Sequence, residues 1–178
     1  MFLSSSMAFA HSDGYSWILS LNGLYVDEIY DNGDEGLGAS AELGFILNGG
    51  HTISQIIGLE VGYINSDADD FDLDVDIVPL FLNLTLVSSC NSGFFLEAGA
   101  GVGGVFINME GNDLDLLPGD ENDDIVFGGQ VFGGLGYQFT DTIRLNADVR
   151  YLVSDEDDIG LARSLDSLAY SFSLQFKF

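Results

Sequence analysis

Basic side chains are nearly missing from this chain. Its 178 residues carry 4 Lys and Arg against 29 Asp and Glu, a formal net charge of −25. Nucleic-acid binding neutralises phosphates with Lys and Arg, so this balance excludes it. Histidine is scarce too. His11 and His51 are the only two, and neither stands beside a Ser/acid pair that could activate a nucleophile, which argues against an enzyme. A single cysteine, Cys90, rules out an internal disulfide and makes a thiolate metal site improbable. No run of about eighteen apolar residues occurs, so there is no transmembrane helix.

What the chain has instead is alternation. It is 47% hydrophobic, too apolar and too well patterned for disorder, and its 23 glycines suit tightly curved β structure. The clearest stretch is the last, SLAYSFSLQFKF. Leu168, Tyr170, Phe172, Leu174, Phe176 and Phe178 are apolar, while Ala169, Ser171, Ser173, Gln175 and Lys177 are small or polar. A strict period of two is a β-strand with one oily face and one wet face. Seven further segments follow the same rule, at 15–26, 36–47, 53–65, 76–87, 94–108, 125–139 and 142–153. The fourth is the least regular. Pro79 cannot donate to a ladder and Phe81 falls on the wet face, so a bulge is expected there.

The connections alternate in length. Those at 48–52, 88–93 and 140–141 are short, and those at 27–35, 66–75, 109–124 and 154–166 are long. The long ones, together with Asp76 at the edge of the second, hold 23 of the 29 acids, opposed only by Arg163. Outward aromatics sort as well. Trp17, Phe45, Phe94, Tyr137 and Phe139 fall toward the short connections, and Tyr25, Tyr63, Phe106, Phe127, Tyr151 and Tyr170 toward the long ones. Between them the outward positions are aliphatic, among them Leu21, Leu59, Leu82, Val131 and Leu174. Two aromatic girdles around an aliphatic belt, with short turns on one rim and long loops on the other, are what a lipid-facing wall requires. The expected fold is all-β, an eight-stranded antiparallel up-and-down transmembrane β-barrel.

These features resemble the small OmpA/OmpX-like outer-membrane β-barrel family. The resemblance rests on the strand count, the stretch Val78-Pro79-Leu80-Phe81-Leu82-Asn83, the glycine-alternating fifth strand, Arg150-Tyr151 and the terminal Phe178. It implies that Phe172, Leu174, Phe176 and Phe178 form the insertion signal read by the barrel-assembly machinery. It also implies a bacterial outer-membrane location, with extracellular loops, periplasmic termini and lipopolysaccharide among the neighbours. The expected role is non-enzymatic, structural or surface-interacting, and the expected state monomeric. Residues 1–10 end in Ala8-Phe9-Ala10, a small-x-small pattern like a secretory cleavage site, and read as a truncated signal peptide. The barrel would then occupy 11–178.

Alternation points Glu42, Glu60, Glu97, Arg144, Asp148, Arg150 and Lys177 into the barrel. Eight strands enclose an interior that side chains can fill, and charges buried there must be paired. A salt-bridge network plugging the lumen is expected, with Glu42 and Glu97 as candidate partners for the arginines. The alternative is a narrow ion-conducting pore lined by the same charges. Asp67, Asp69, Asp70 and Asp72 are dense enough in carboxylate for weak Ca²⁺ binding, but the stretch lacks the EF-hand glycine and bidentate Glu. A third alternative is a secreted, soluble Ca²⁺-binding β-domain. Gly99-Ala100-Gly101-Val102-Gly103-Gly104 matches a dinucleotide fingerprint only in letters, because it lies within a strand rather than opening a helix. No cofactor is expected.

Overall fold

The alternation becomes eight strands: β1 (Ser16–Asp27), β2 (Gly36–Leu47), β3 (Ile53–Ala68), β4 (Leu73–Ser89), β5 (Phe94–Gly111), β6 (Asp123–Gln138), β7 (Ile143–Ser154) and β8 (Ser167–Lys177). The structure, a computed structural model, describes residues 16–27, 35–47, 53–68, 73–90, 92–111, 123–154 and 167–178. Each strand pairs antiparallel with the next, and β1 closes on β8. The barrel is the up-and-down one expected. At the closing seam the Trp17 and Phe178 backbones exchange N–H···O bonds of 2.8 and 3.0 Å. Closure leaves no free sheet edge.

The register sets the slant. A circuit of paired residues that starts at Ser16 passes through Ile46, Ile56, Thr85, Gly99, Phe132, Arg150 and Ala169 and returns to β1 at Val26. A stagger from Ser16 to Val26 over eight strands corresponds to a tilt of roughly 40°. That width leaves a lumen which side chains can fill.

Pro79 is accommodated without the expected bulge. The β3–β4 register is the same on both sides, Val61↔Leu80 and Ile64↔Ile77, and only the pairs between them are missing from the ladder. Proline removes the donor, but its inward ring packs beside Gly62, which has no side chain to obstruct it. A local gap therefore replaces an inserted residue.

β3, β4 and β5 also run about three residues beyond their expected ends at 65, 76 and 108. The acids there look like loop, yet the alternation continues with its sense reversed. Along the belt Leu80, Leu82, Leu84 and Leu86 face out and Asn83 and Thr85 are buried. Toward the long connections Val75 and Ile77 are buried and Asp76 faces out. A strand in water turns its apolar side inward, so the reversal marks where the apolar belt ends.

On the outer wall the rings of Trp17 and Phe45, Phe94 and Tyr137, and Tyr137 and Phe139 meet edge to face at 5.0–5.1 Å on the short-connection rim. Tyr25 and Tyr170 pair at 6.3 Å on the other. Tyr63, Phe106, Phe127 and Tyr151 are exposed on the same wall. Phe172 breaks the sorting: it is 75% exposed and lies within the belt, paired in register with Gly23 and Ala147. The short turn before β5 depends on Gly93, whose φ of 85° suits glycine.

Candidate functional site: a three-layered lumen

Inward side chains fill the barrel in three layers. At the short-connection end Ile18, Ile56, Val87 and Phe95 form an apolar cluster, with Ile46 packed against it. At the long-connection end lies a larger one that includes Leu24, Val26, Ile64, Ile77, Phe81, Val105, Ile107 and Val126. Polar groups are held between the two. The expectation of a polar interior therefore held only for the middle. A sequence signal for the apolar layers exists in doublets such as Ile56-Ile57, Phe94-Phe95, Val105-Phe106 and Val126-Phe127. A strand must turn one member of each doublet inward.

The middle layer is organised around Glu60. Its Oε1 accepts from Arg150 Nη1 at 2.7 Å and Ser40 Oγ at 2.6 Å, and its Oε2 from Asn83 and Gln130 at 2.8 and 2.9 Å. Arg150 Nε donates to Asp148 Oδ1 at 2.7 Å, and Ser171 Oγ donates to Asp148 Oδ2 at 2.6 Å. The partners of Arg150 thus differ from those expected. Arg150 takes Glu60 from across the barrel and Asp148 from its own strand, rather than Glu42 or Glu97. Glu42 receives Asn83 Nδ2 at 2.8 Å, and Glu97 receives Asn146 Nδ2 at 2.5 Å. Strand alternation shows which residues face inward, but only tilt and stagger decide which of them meet.

The two inner arginines also lie over rings. The Arg150 guanidinium carbon is 5.2 Å from the centre of Phe132, and that of Arg144 is 5.3 Å from the centre of Phe95. Arg144 thus joins the polar layer to the lower apolar one, and Lys177 is half-buried nearby on the same inner face. Glycine makes room for these large groups. A Cβ on Gly58 would collide with the Glu42 carboxyl, on Gly101 with Asn83 Oδ1, on Gly99 with the Phe132 ring, and on Gly136 with the Phe95 ring. This explains the glycine-rich inner faces of β5 and β6.

Little space remains between the described inward side chains. A cavity of about 20 Å³ borders Glu42, Glu97 and Arg150, and one of about 30 Å³ lies in the upper apolar layer beside Pro79 and Phe81. Each is the size of one or two waters. Among the described residues no group of three or more His, Cys, Asp and Glu is placed to hold a metal ion. The Ca²⁺ candidates Asp69, Asp70 and Asp72, the two histidines, Arg163 and residues 1–10 lie outside the described residues, and Asp67 is described only by its backbone.

No protein-family model matches the chain, and no curated protein does. Solved structures do. Neisserial surface protein A (NspA) superposes with a TM-score of 0.58 at 13% identity, covering 92% of this chain and 95% of that one. The N-terminal β-barrel domain of Pseudomonas aeruginosa OprF superposes with a TM-score of 0.55 at 14% identity, covering 92% and 97%. This chain has the fold of a small outer-membrane β-barrel. The resemblance read from the sequence holds at that level, and identities this low carry the fold alone. The same outer-membrane barrel architecture also serves an enzyme: the outer membrane enzyme PagL superposes with a TM-score of 0.55 at 12% identity, covering 89% and 98%.

Proposed function

We propose that the chain is an integral protein of the bacterial outer membrane with a blocked lumen and no catalytic role. Its termini face the periplasm, and it presents its acidic long connections outside the cell. The observation that carries this reading is the stacking of apolar, polar and apolar layers inside the barrel, with water-sized voids between the described residues. An ion entering either end would meet an apolar layer before reaching the charges, where desolvation is costly. The barrel serves as a rigid anchor. Function then lies with the rim, where repeated carboxylates suit contact with divalent cations, lipopolysaccharide or another surface. Delivery would run through the barrel-assembly machinery, with Phe172, Leu174, Phe176 and Phe178 as its signal.

The test is single-channel recording of the refolded chain in a planar bilayer, after a boiling-dependent gel shift has shown that the barrel is closed. A silent membrane is expected. Steady conductance steps would replace this reading with the pore lined by Glu42, Arg144 and Arg150.

A further inference from the structure

Of the four basic side chains, Arg150 is paired in the polar layer and Arg163 falls in a long connection. The other two stand together. Arg144 on β7 and Lys177 on β8 both point into the short-connection mouth of the lumen, beside the cluster of Ile18, Ile56, Val87 and Phe95. The register sets them close. Arg144 is paired with Gln175, and Lys177 donates its backbone N–H to the Thr142 carbonyl at 2.8 Å, so the two cations occupy diagonal positions on one face. Diagonal neighbours have Cβ atoms about 7–8 Å apart, within reach of long side chains. Like charges this close repel.

Neither cation has an ionic partner, since the ion pairs among the described residues belong to Arg150. The acids whose charge reaches them are Glu97, whose bonds go to Asn146 and Gln175, and Asp141, exposed in the adjoining turn. Asp141 is solvated, which leaves Glu97 as one buried acid against two cations. Arg144 is only 9% exposed, one face of its guanidinium is covered by Phe95, and its buried Nε has no hydrogen-bond partner. A guanidinium presents five donors in a fixed fork that matches an oxyanion, and burying that fork without an acceptor is costly. Gln138, the register neighbour of Arg144 on β6, faces the same way and brings a neutral amide donor. Deeper in the lumen Glu42, Glu60 and Asp148 add negative charge, so an anion attracted to the mouth is stopped there.

We infer that Arg144 and Lys177 form an oxyanion site at the short-connection mouth that takes a phosphate group, with Gln138 as a further donor. Two cations and an amide match the charge and the several oxygens of a phosphate, whereas a carboxylate would satisfy Arg144 alone. Soluble phosphate monoesters and lipid headgroups both carry such a group. In the proposed orientation the mouth opens to the periplasm.

Lys177 is the one lysine of the chain, so labelling with ¹³C-lysine reports on the site through a single side-chain NMR signal. The full chain, refolded in a sugar-based detergent, is titrated with inorganic phosphate at constant ionic strength, with chloride as the reference. A saturable shift of the Lys177 signal with phosphate and none with chloride is expected. Arg144→Gln should weaken binding about tenfold or more, the worth of a hydrogen bond to a charged group, and Arg163→Gln should leave it unchanged. A boiling-dependent gel shift shows which variants have folded, and the wild-type titration decides without them. Repeating it with phosphatidic acid in mixed micelles separates the sources. A shift with inorganic phosphate assigns a soluble ligand, and a shift with phosphatidic acid alone assigns a headgroup. Silence toward both, or a shift that chloride or folded Arg144→Gln reproduces in full, would overturn the site. Bilayer conductance would refute the blocked lumen and leave the lysine signal to decide the phosphate site.

Discussion

Replacing Arg150 with Met tests the interior network most directly. The guanidinium bonds Glu60 Oε1 and Asp148 Oδ1, each at 2.7 Å, with all three side chains buried. Met keeps much of the volume but leaves both carboxylates without a cation. Breaking a buried ion pair by removing one partner costs about 3–5 kcal/mol, because the remaining charge stays desolvated. Losing the contact with Phe132 at 5.2 Å adds about 1 kcal/mol. The total of about 4–6 kcal/mol is a thousandfold or more in the folding equilibrium. The assay is reversible urea unfolding in lipid vesicles, followed by the fluorescence of Trp17, the single tryptophan, and by gel mobility. The triple variant Arg150→Met, Glu60→Gln, Asp148→Asn should recover most of the loss, since neither former partner of Arg150 is left as an unpaired charge. A loss below about 1 kcal/mol, as for a solvated surface pair, would refute the dry network. So would failure of the triple variant to recover.

Gly58→Ala should lower the unfolding temperature, because its Cβ would overlap the Glu42 carboxyl, and overpacking of this kind costs about 1–3 kcal/mol. Gly23→Ala is the control, since a Cβ there meets nothing within 4 Å, and equal losses at both sites would count against the packing argument. Beyond the apolar belt, hydrogen bonds from Tyr63 and Asn65 hold the Asp76 carboxyl below its ordinary range. That contribution is complete above the ordinary carboxylate pKa of about 4 and fades as the pH falls through the lowered value. Tyr63→Phe should therefore flatten the acid limb of the unfolding curve, and superimposable limbs would dismiss the Asp76 contribution. Cys90 is exposed in a short turn, so a membrane-impermeant thiol reagent should label it only after the outer membrane has been permeabilised. Labelling in intact cells would reverse the proposed orientation.

Much of the fold was legible because a barrel wall is a local pattern. Period-two alternation marked all eight strands and the outer face, and loop lengths distinguished the rims. Three things were misread for identifiable reasons. Pro79 suggested a bulge, yet β4 keeps its register because Gly62 opposite leaves room for the ring. The acidic ends of β3 to β5 looked like loop because their alternation reverses sense beyond the belt. The apolar lumen layers went unnoticed because apolar doublets hide the inward member behind its outward neighbour.

By itself the sequence determined which residues form strands, which face each side chain takes, and how charge divides between wall and rim. All of these follow from the geometry of one strand and its immediate connections. Only the tertiary structure decided which inward residues meet. Arg150 and Glu60 lie 90 residues apart on strands that are not neighbours, and their contact depends on barrel width, tilt and the stagger accumulated over the full circuit. The same closure decides that charges legible one by one are sealed between apolar layers. A row of inward acids and bases is compatible with a channel until the neighbouring strands close around it, and in this barrel they set it between two apolar layers.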